Sequence, residues 1–201
     1  DVKKEFGCVG DAVSDDTVCL QAALDAGGAQ GRRVYIPAAT YLVTEPLLIK
    51  GSNITWDLLV WNESFRHGTI SGDGRGSTII KAANASQGGK WGTGNMSNSN
   101  NNIALVHFPT CCGAAPRTGY AWRVADLTLD ANQAVDYGLL APAVASSVFQ
   151  RLYVGGARVS GMYLGHGYCN RVEDSYFERN HIGLIVANAA NNVDVVNSGF
   201  L

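Results

Sequence analysis

The side chains best suited to chemistry recur at fixed offsets in the stretch 121–201. Asp126, Arg151 and Asp174 stand three residues before Leu129, Val154 and Phe177. Asp130 and Glu178 each follow one of these apolar anchors, with Gly155 at the intervening position. Glycoside hydrolysis needs two carboxylates about 5 to 10 Å apart. A lyase needs a base near the sugar C5 proton and a cation to stabilise the enolate-like state. Asp130, Glu178 and Arg179 are therefore the candidate catalytic residues. If the anchors stack in adjacent strands, Asp130 and Glu178 lie two strands apart, about 9.6 Å, which suits an inverting pair. Arg151 would stand between Asp126 and Asp174, either as a sugar-binding cluster or as a surface ion ladder, and the ladder is the commoner arrangement. His166 and His181 are isolated, and a lone His is more often solvated or hydrogen-bonded than catalytic.

What positions these groups is a repeat. Leu129, Val154, Phe177 and Phe200 are separated by 25, 23 and 23 residues. Val124, Phe149, Val172 and Val195 precede them by five, and Leu127, Leu152, Ser175 and Ser198 by two. Gly138, Gly161 and Gly183 mark a shared bend, and Asn132 and Asn180 share a position. Short segments of period two with Gly inside each unit exclude helical repeats. The LxxLxLxxN frame of leucine-rich repeats is missing, which leaves a parallel β-helix whose coils stack at about 4.8 Å. An Asn in such a stack can bond its neighbours along it. The Thr128–Tyr153–Tyr176 column then points outward, where its rings can stack on sugar faces or equally pack under a loop; the first makes Tyr153 and Tyr176 carbohydrate-binding candidates with Asp126, Arg151 and Asp174. Leu140, Tyr163 and Ile185 also point outward; an apolar ladder there needs a cover, either a loop, for which the long loops at 82–118 are available, or a partner subunit or ligand, which makes them interface candidates.

The remaining composition sets bounds. Of 201 residues, 16 % are charged and 46 % hydrophobic, so the chain can build a core. A net charge of −2 with dispersed Lys and Arg argues against a nucleic-acid partner. No apolar run approaches the roughly 20 residues that span a membrane. The five cysteines, Cys8, Cys19, Cys111, Cys112 and Cys169, leave one unpaired or paired with another chain, and lack the CxxC spacing of a zinc site. They fit either buried thiols of a cytosolic protein or an oxidised, secreted chain. Four sequons, at Asn53, Asn62, Asn84 and Asn95, favour secretion with N-glycosylation.

Along the first part of the chain, Ser14-Asp15-Asp16-Thr17 reads as a helix start. Val18, Ala22 and 24–26 read as the apolar face, and Gly27-Gly28 as the stop. Strands follow at Arg33–Ile36, Tyr41–Val43, Ile54–Trp56 and Thr78–Lys81. Ser71–Gly76 is a turn and not a phosphate loop, because GxxxxGK[ST] is missing and a strand follows. Residues 82–102 and Pro109–Thr118 read as long loops.

The segments Glu5–Ala12, Ser14–Leu24, Val34–Val43 and Gly72–Ile80 together resemble the N-terminal part of the pectate-lyase-like superfamily. The resemblance implies an all-β, right-handed parallel β-helix (a solenoid) with an N-terminal capping α-helix. The expected organisation is one domain over 1–201, with a cap at 1–32, first coils at 33–81, long loops and a short strand at 82–120, and regular coils at 121–201. Cys8 and Cys19 replace small residues of the motif inside the cap, and are expected to pair with each other. Polysaccharide-cleaving members use acidic groups on the central coils, and lyases often add Ca²⁺. The Asn-x-Asp and Asp-Asp pairs of polygalacturonase-like hydrolases are not found in these coils, and no cofactor or metal is expected outside the lyase alternative.

Fold alone does not fix function. The sequence favours a secreted, N-glycosylated, non-enzymatic structural or assembly subunit of an extracellular surface structure or filament. In that reading self-association or another subunit covers the last coil, where no capping helix follows Phe200. The alternative is a polysaccharide lyase or glycoside hydrolase, or a polysaccharide-binding or depolymerising spike module.

Overall fold

The computed structural model describes residues 1–49, 68–92, 103–108, 119–187 and 190–201. It is a parallel β-helix closed by helices at its N-terminal end. Every strand pairing among the described residues is parallel; three long stacks run along the axis, beside a short fourth ladder of Gly119–Tyr120 on Val144–Ala145.

One stack consists of Leu47–Leu48, Ala104–His107, Tyr137–Ala141, Ser160–Leu164 and Ile182–Val186. A second aligns Arg33–Tyr35, Thr69–Ser71 and the first halves of Arg123–Asp130 and Val148–Gly155, then Gly167–Glu173 and Ala190–Val196. The third aligns Asp11–Asp15, Ala39–Val43, Thr78–Ala82, the second halves of the two long strands, Tyr176–Glu178 and Gly199–Phe200. Between the second and third stacks the chain turns on one residue with left-handed backbone: Asp126, Arg151, Asp174 and Asn197, at φ 62°, 48°, 49° and 47°. A side chain in that conformation costs about 1 kcal/mol or more, so each corner is held by its neighbours.

The anchor columns read from the sequence are the register. Phe149 pairs with Val124 and Val172, and Val154 with Leu129 and Phe177. All six are buried. Phe108 reaches across the core, with its ring 6.0 Å from Trp122 and 6.2 Å from Phe149, both edge-on. The Asn column works as expected, through backbone rather than through neighbouring Asn. Asn180 accepts from Ala157 N–H and donates to the Val154 carbonyl, while Asn132 donates to the Ala82 carbonyl.

The cap is more elaborate than expected. A short helix, Val2–Phe6, precedes a strand, Asp11–Asp15, that joins the third stack. The longer helix spans Thr17–Gln30, so Gly27-Gly28 does not end it. Its stop is Gly31, in left-handed conformation with its N–H on the Gly27 carbonyl. Gly27 is small for packing: a Cβ there would lie 2.3 Å from Val34 Cγ2. The buried face is Leu20, Ala23, Leu24 and Gly27, at helical spacing, whereas Val18 is 81 % exposed and Ala22 also faces solvent. The start signal divides its labour. Asp15 accepts from Thr17 N–H, but Asp16 turns back to the N–H groups of Val9 and Gly10. The expected Cys8–Cys19 disulfide is present.

Candidate functional site

The outer edge of the third stack gathers the charged candidates. Asp130, Gly155 and Glu178 occupy one register position in successive coils. Both carboxylates are held by neighbours. Lys81 Nζ lies 3.6 Å from Asp130, whose other oxygen accepts from Asn132 N–H. Glu178 accepts from the Tyr153 hydroxyl at 2.6 Å. The position between them is Gly155, and a Cβ there would lie 2.8 Å from Tyr153 Cε1. The phenol ring therefore leans over the glycine, at the register position between the two carboxylates. Burial, followed by the Glu178 hydrogen bond, pushes the Tyr153 phenol up, so it is held as a proton donor. Arg179 completes the group, its charged form favoured first by Tyr153 and then by Asp130 and Glu178.

The corner column behaves differently from the expected three-member ladder. Arg151 makes a two-point contact with Asp126 alone. That guanidinium holds the Asp126 carboxyl below the usual range. Asp174 contributes its backbone carbonyl instead, which accepts from Arg75 Nη1 at 2.9 Å. Arg75 comes from the turn after Ser71, which folds over the third stack. Its guanidinium stacks 4.7 Å from the Tyr176 ring centre. Gly76 N–H in the same turn bonds Thr128 Oγ1, so Thr128 is buried rather than presented to solvent. The outward column is thus a graded shelf, from covered Thr128 through half-buried Tyr153 to Tyr176 at 44 % exposure.

The Leu140–Tyr163–Ile185 column lies on the outer face of the first stack, in the expected register. Leu140 and Tyr163 are 2 % exposed, so they offer no free interface. They form a second apolar cluster with Ile103, Ala104 and Tyr137. His107 stands in this same column, paired with Leu140 and Leu48. Burial alone pushes its imidazole down to about 4. Sequence reasoning passed over His107, yet the signal existed: it is the one polar residue in the run Ile103–Phe108.

Asn84, among the sequons, is exposed, and its side chain caps the short turn Ala85–Gln87. Asn53, Asn62 and Asn95 lie outside the described residues, as do Cys111, Cys112 and the expected strand at Ile54–Trp56. Cys169 is an exposed free thiol. Cys8, Asp16 and Cys19 form a cluster tight enough for a metal ion. The two sulfurs are bonded to each other and Asp16 is occupied by backbone N–H groups, so the cluster has no thiolate to offer. Among the described residues no helix is long and apolar enough to cross a membrane.

A family model described as rhamnogalacturonase A/epimerase, pectate lyase-like, matches residues 1–198. Mannuronan C5-epimerase AlgE2 of Azotobacter vinelandii is 43 % identical over 79 residues, covering 39 % of this chain and 7 % of its own length. The chain therefore spans only a small part of that relative. Among solved structures, the ORF18 protein of Geobacillus virus E2 superposes with a TM-score of 0.64 at 23 % identity, over 88 % of this chain and 30 % of that one. The A-module of the Azotobacter vinelandii epimerase AlgE4 gives 0.57 at 23 %, over 94 % and 50 %. At these identities the two superpositions speak for the fold.

Proposed function

The chain belongs to the rhamnogalacturonase A/epimerase, pectate lyase-like family, and from that premise we propose that it is an extracellular polysaccharide-binding β-helix whose contact surface is the Tyr153–Tyr176 shelf. The observation that carries this reading is Tyr176. Its ring is 44 % exposed on a strand of the rigid helix, with the Arg75 guanidinium stacked on it. An aromatic face backed by a cation and rimmed by Asp126, Arg151, Glu178 and Arg179 offers both stacking and hydrogen bonds to a sugar chain. Asp130 and Glu178 serve the shelf by fixing Lys81 and Tyr153, in place of acid–base work. The Cys8–Cys19 bridge supports an oxidising compartment. The mannuronan epimerase relative favours a carbohydrate-directed role over the filament subunit that the sequence alone favours.

The test is affinity electrophoresis of the protein through gels containing a panel of acidic and neutral polysaccharides, with parallel assays for reducing ends and unsaturated products. Retardation by at least one polymer without new products is expected. Tyr176→Ala should weaken that retardation about fivefold, as one lost stacking contact of roughly 1 kcal/mol implies. No retardation by any polymer, or no effect of Tyr176→Ala, refutes the reading. Product formation abolished by Asp130→Ala or Glu178→Ala would return these carboxylates to a catalytic role.

A further inference from the structure

Register on the second stack reveals a column that the sequence repeat conceals. Arg33 pairs with Thr69, Thr69 with Arg123, Arg123 with Val148, Val148 with Arg171, and Arg171 with Asp194. Arginine therefore recurs at every second coil, about 9.6 Å apart along the axis. The alternating neighbours Val34, Val124 and Val172 are buried or core-facing, so the three arginines point outward, and all three are exposed.

Each guanidinium is held from the side by its Nε. Arg33 Nε donates to Ser71 Oγ at 2.7 Å, Arg123 Nε to Gln150 Oε1 at 2.9 Å, and Arg171 Nε to Glu173. For Arg33 and Arg123 that partner is neutral. Arg33 also lies 5.5 Å from the Tyr35 ring centre. Bonding through Nε orients the planar fork while leaving its Nη edge for a ligand. Among the described residues the neighbouring acids are engaged: Asp126 chiefly by Arg151, with Arg123 and Arg33 adding to its field, Asp73 by Tyr35 and Ala38, Glu173 by Arg171. Asp194 closes the column with a negative charge.

We propose that the Arg33–Arg123–Arg171 column is a binding ladder for a linear anionic polysaccharide lying parallel to the β-helix axis. The ladder reads acidic groups that recur at the two-coil interval, and it lies on a different face from the tyrosine shelf. It rests on the polysaccharide-binding reading for the class of polymer, and adds the charge, direction and spacing. A nucleic acid fits poorly, since a strand carries one phosphate per about 3.4 Å of duplex axis and needs a denser basic surface.

The experiment titrates the protein, by calorimetry at several salt concentrations, with a linear 1,4-linked polyuronate, a neutral 1,4-linked glucan of matched length and single-stranded DNA. The polyuronate should bind more tightly than the glucan. Its log Kd should rise with log salt with a slope of about 2, three contacts at roughly 0.7 each. Arg33→Ala/Arg123→Ala/Arg171→Ala should remove that slope and weaken polyuronate binding about tenfold or more. Glu173→Gln, which frees Arg171, should strengthen it about threefold. Far-UV circular dichroism of each variant checks the fold, and the Glu173→Gln gain is an effect that misfolding would not produce. An unchanged slope in the triple variant, equal binding of polyuronate and glucan, or tighter binding of DNA overturns the ladder. If Tyr176→Ala abolishes binding while the triple variant binds as wild type, the ladder falls and the shelf stands. If the triple variant loses the slope while Tyr176→Ala has no effect, the ladder stands and the shelf falls.

Discussion

His107 gives the sharpest prediction. It is 5 % exposed, between Leu48 and Leu140 in register, and burial pushes its imidazole down to about 4 from an ordinary 6.5. A group whose folded pKa is depressed binds protons more readily when unfolded. Its neutral form supports the fold fully above 6.5, and that support drains away as pH falls towards 4. Linkage over the full interval gives roughly 3 kcal/mol, of which about 2 is already lost at pH 5. The perturbation is His107→Leu, which matches the apolar column and does not titrate. Urea unfolding of both proteins is measured from pH 7.5 to 4.5, and the difference between them removes every other titrating group. The variant should gain about 2 kcal/mol relative to wild type on going from pH 7.5 to pH 5. A difference that stays flat across this window would refute the buried, neutral imidazole and the desolvation argument with it.

Three further outcomes are expected. Cys8→Ser/Cys19→Ser opens a crosslink of sequence separation 11, which chain entropy values at about 3 kcal/mol, read as a lower urea midpoint that reduction of the wild type should match. Phe149→Ala empties a fully buried site against Phe108, Val124 and Val172, and should cost about 3 to 5 kcal/mol in the same assay; a loss under 1 would mean the coils collapse around the gap. Asn180→Ala removes two bonds to the coil below and should cost about 1 to 3 kcal/mol, with faster hydrogen exchange at Ala157 N–H as the local signature.

The coils were legible because stacking writes the ladder directly into the sequence: Val124, Phe149, Val172 and Val195 are alike because each lies on the one before. The outward columns carry no such constraint. Arg33, Arg123 and Arg171 alternate with Thr69 and Val148, and the long intervals on both sides of Thr69 hide their common phase. Long-range cover was equally invisible. Nothing local to Thr128 says that Gly76 will bond it, or that Arg75 will reach Asp174. The Asp126–Arg151–Asp174 column was identified, but which carboxylate Arg151 would choose depends on side-chain direction at a left-handed corner. At Gly27-Gly28 a punctuation signal misled, because tight packing on Val34 demands the same residue as a helix end.

The single-residue corners at Asp126, Arg151, Asp174 and Asn197 make the molecule a ruler. The anchors are 25 residues apart in one interval and 23 in the next, yet the second and third stacks keep their register on both sides of the corner. Length variation is therefore absorbed elsewhere in the coil. Segments can be lengthened or exchanged at the bends that flank the first stack while the pitch between side chains on these two faces stays constant. Such a scaffold separates two variables that most surfaces confound: the chemistry of each rung can drift without altering the graduation.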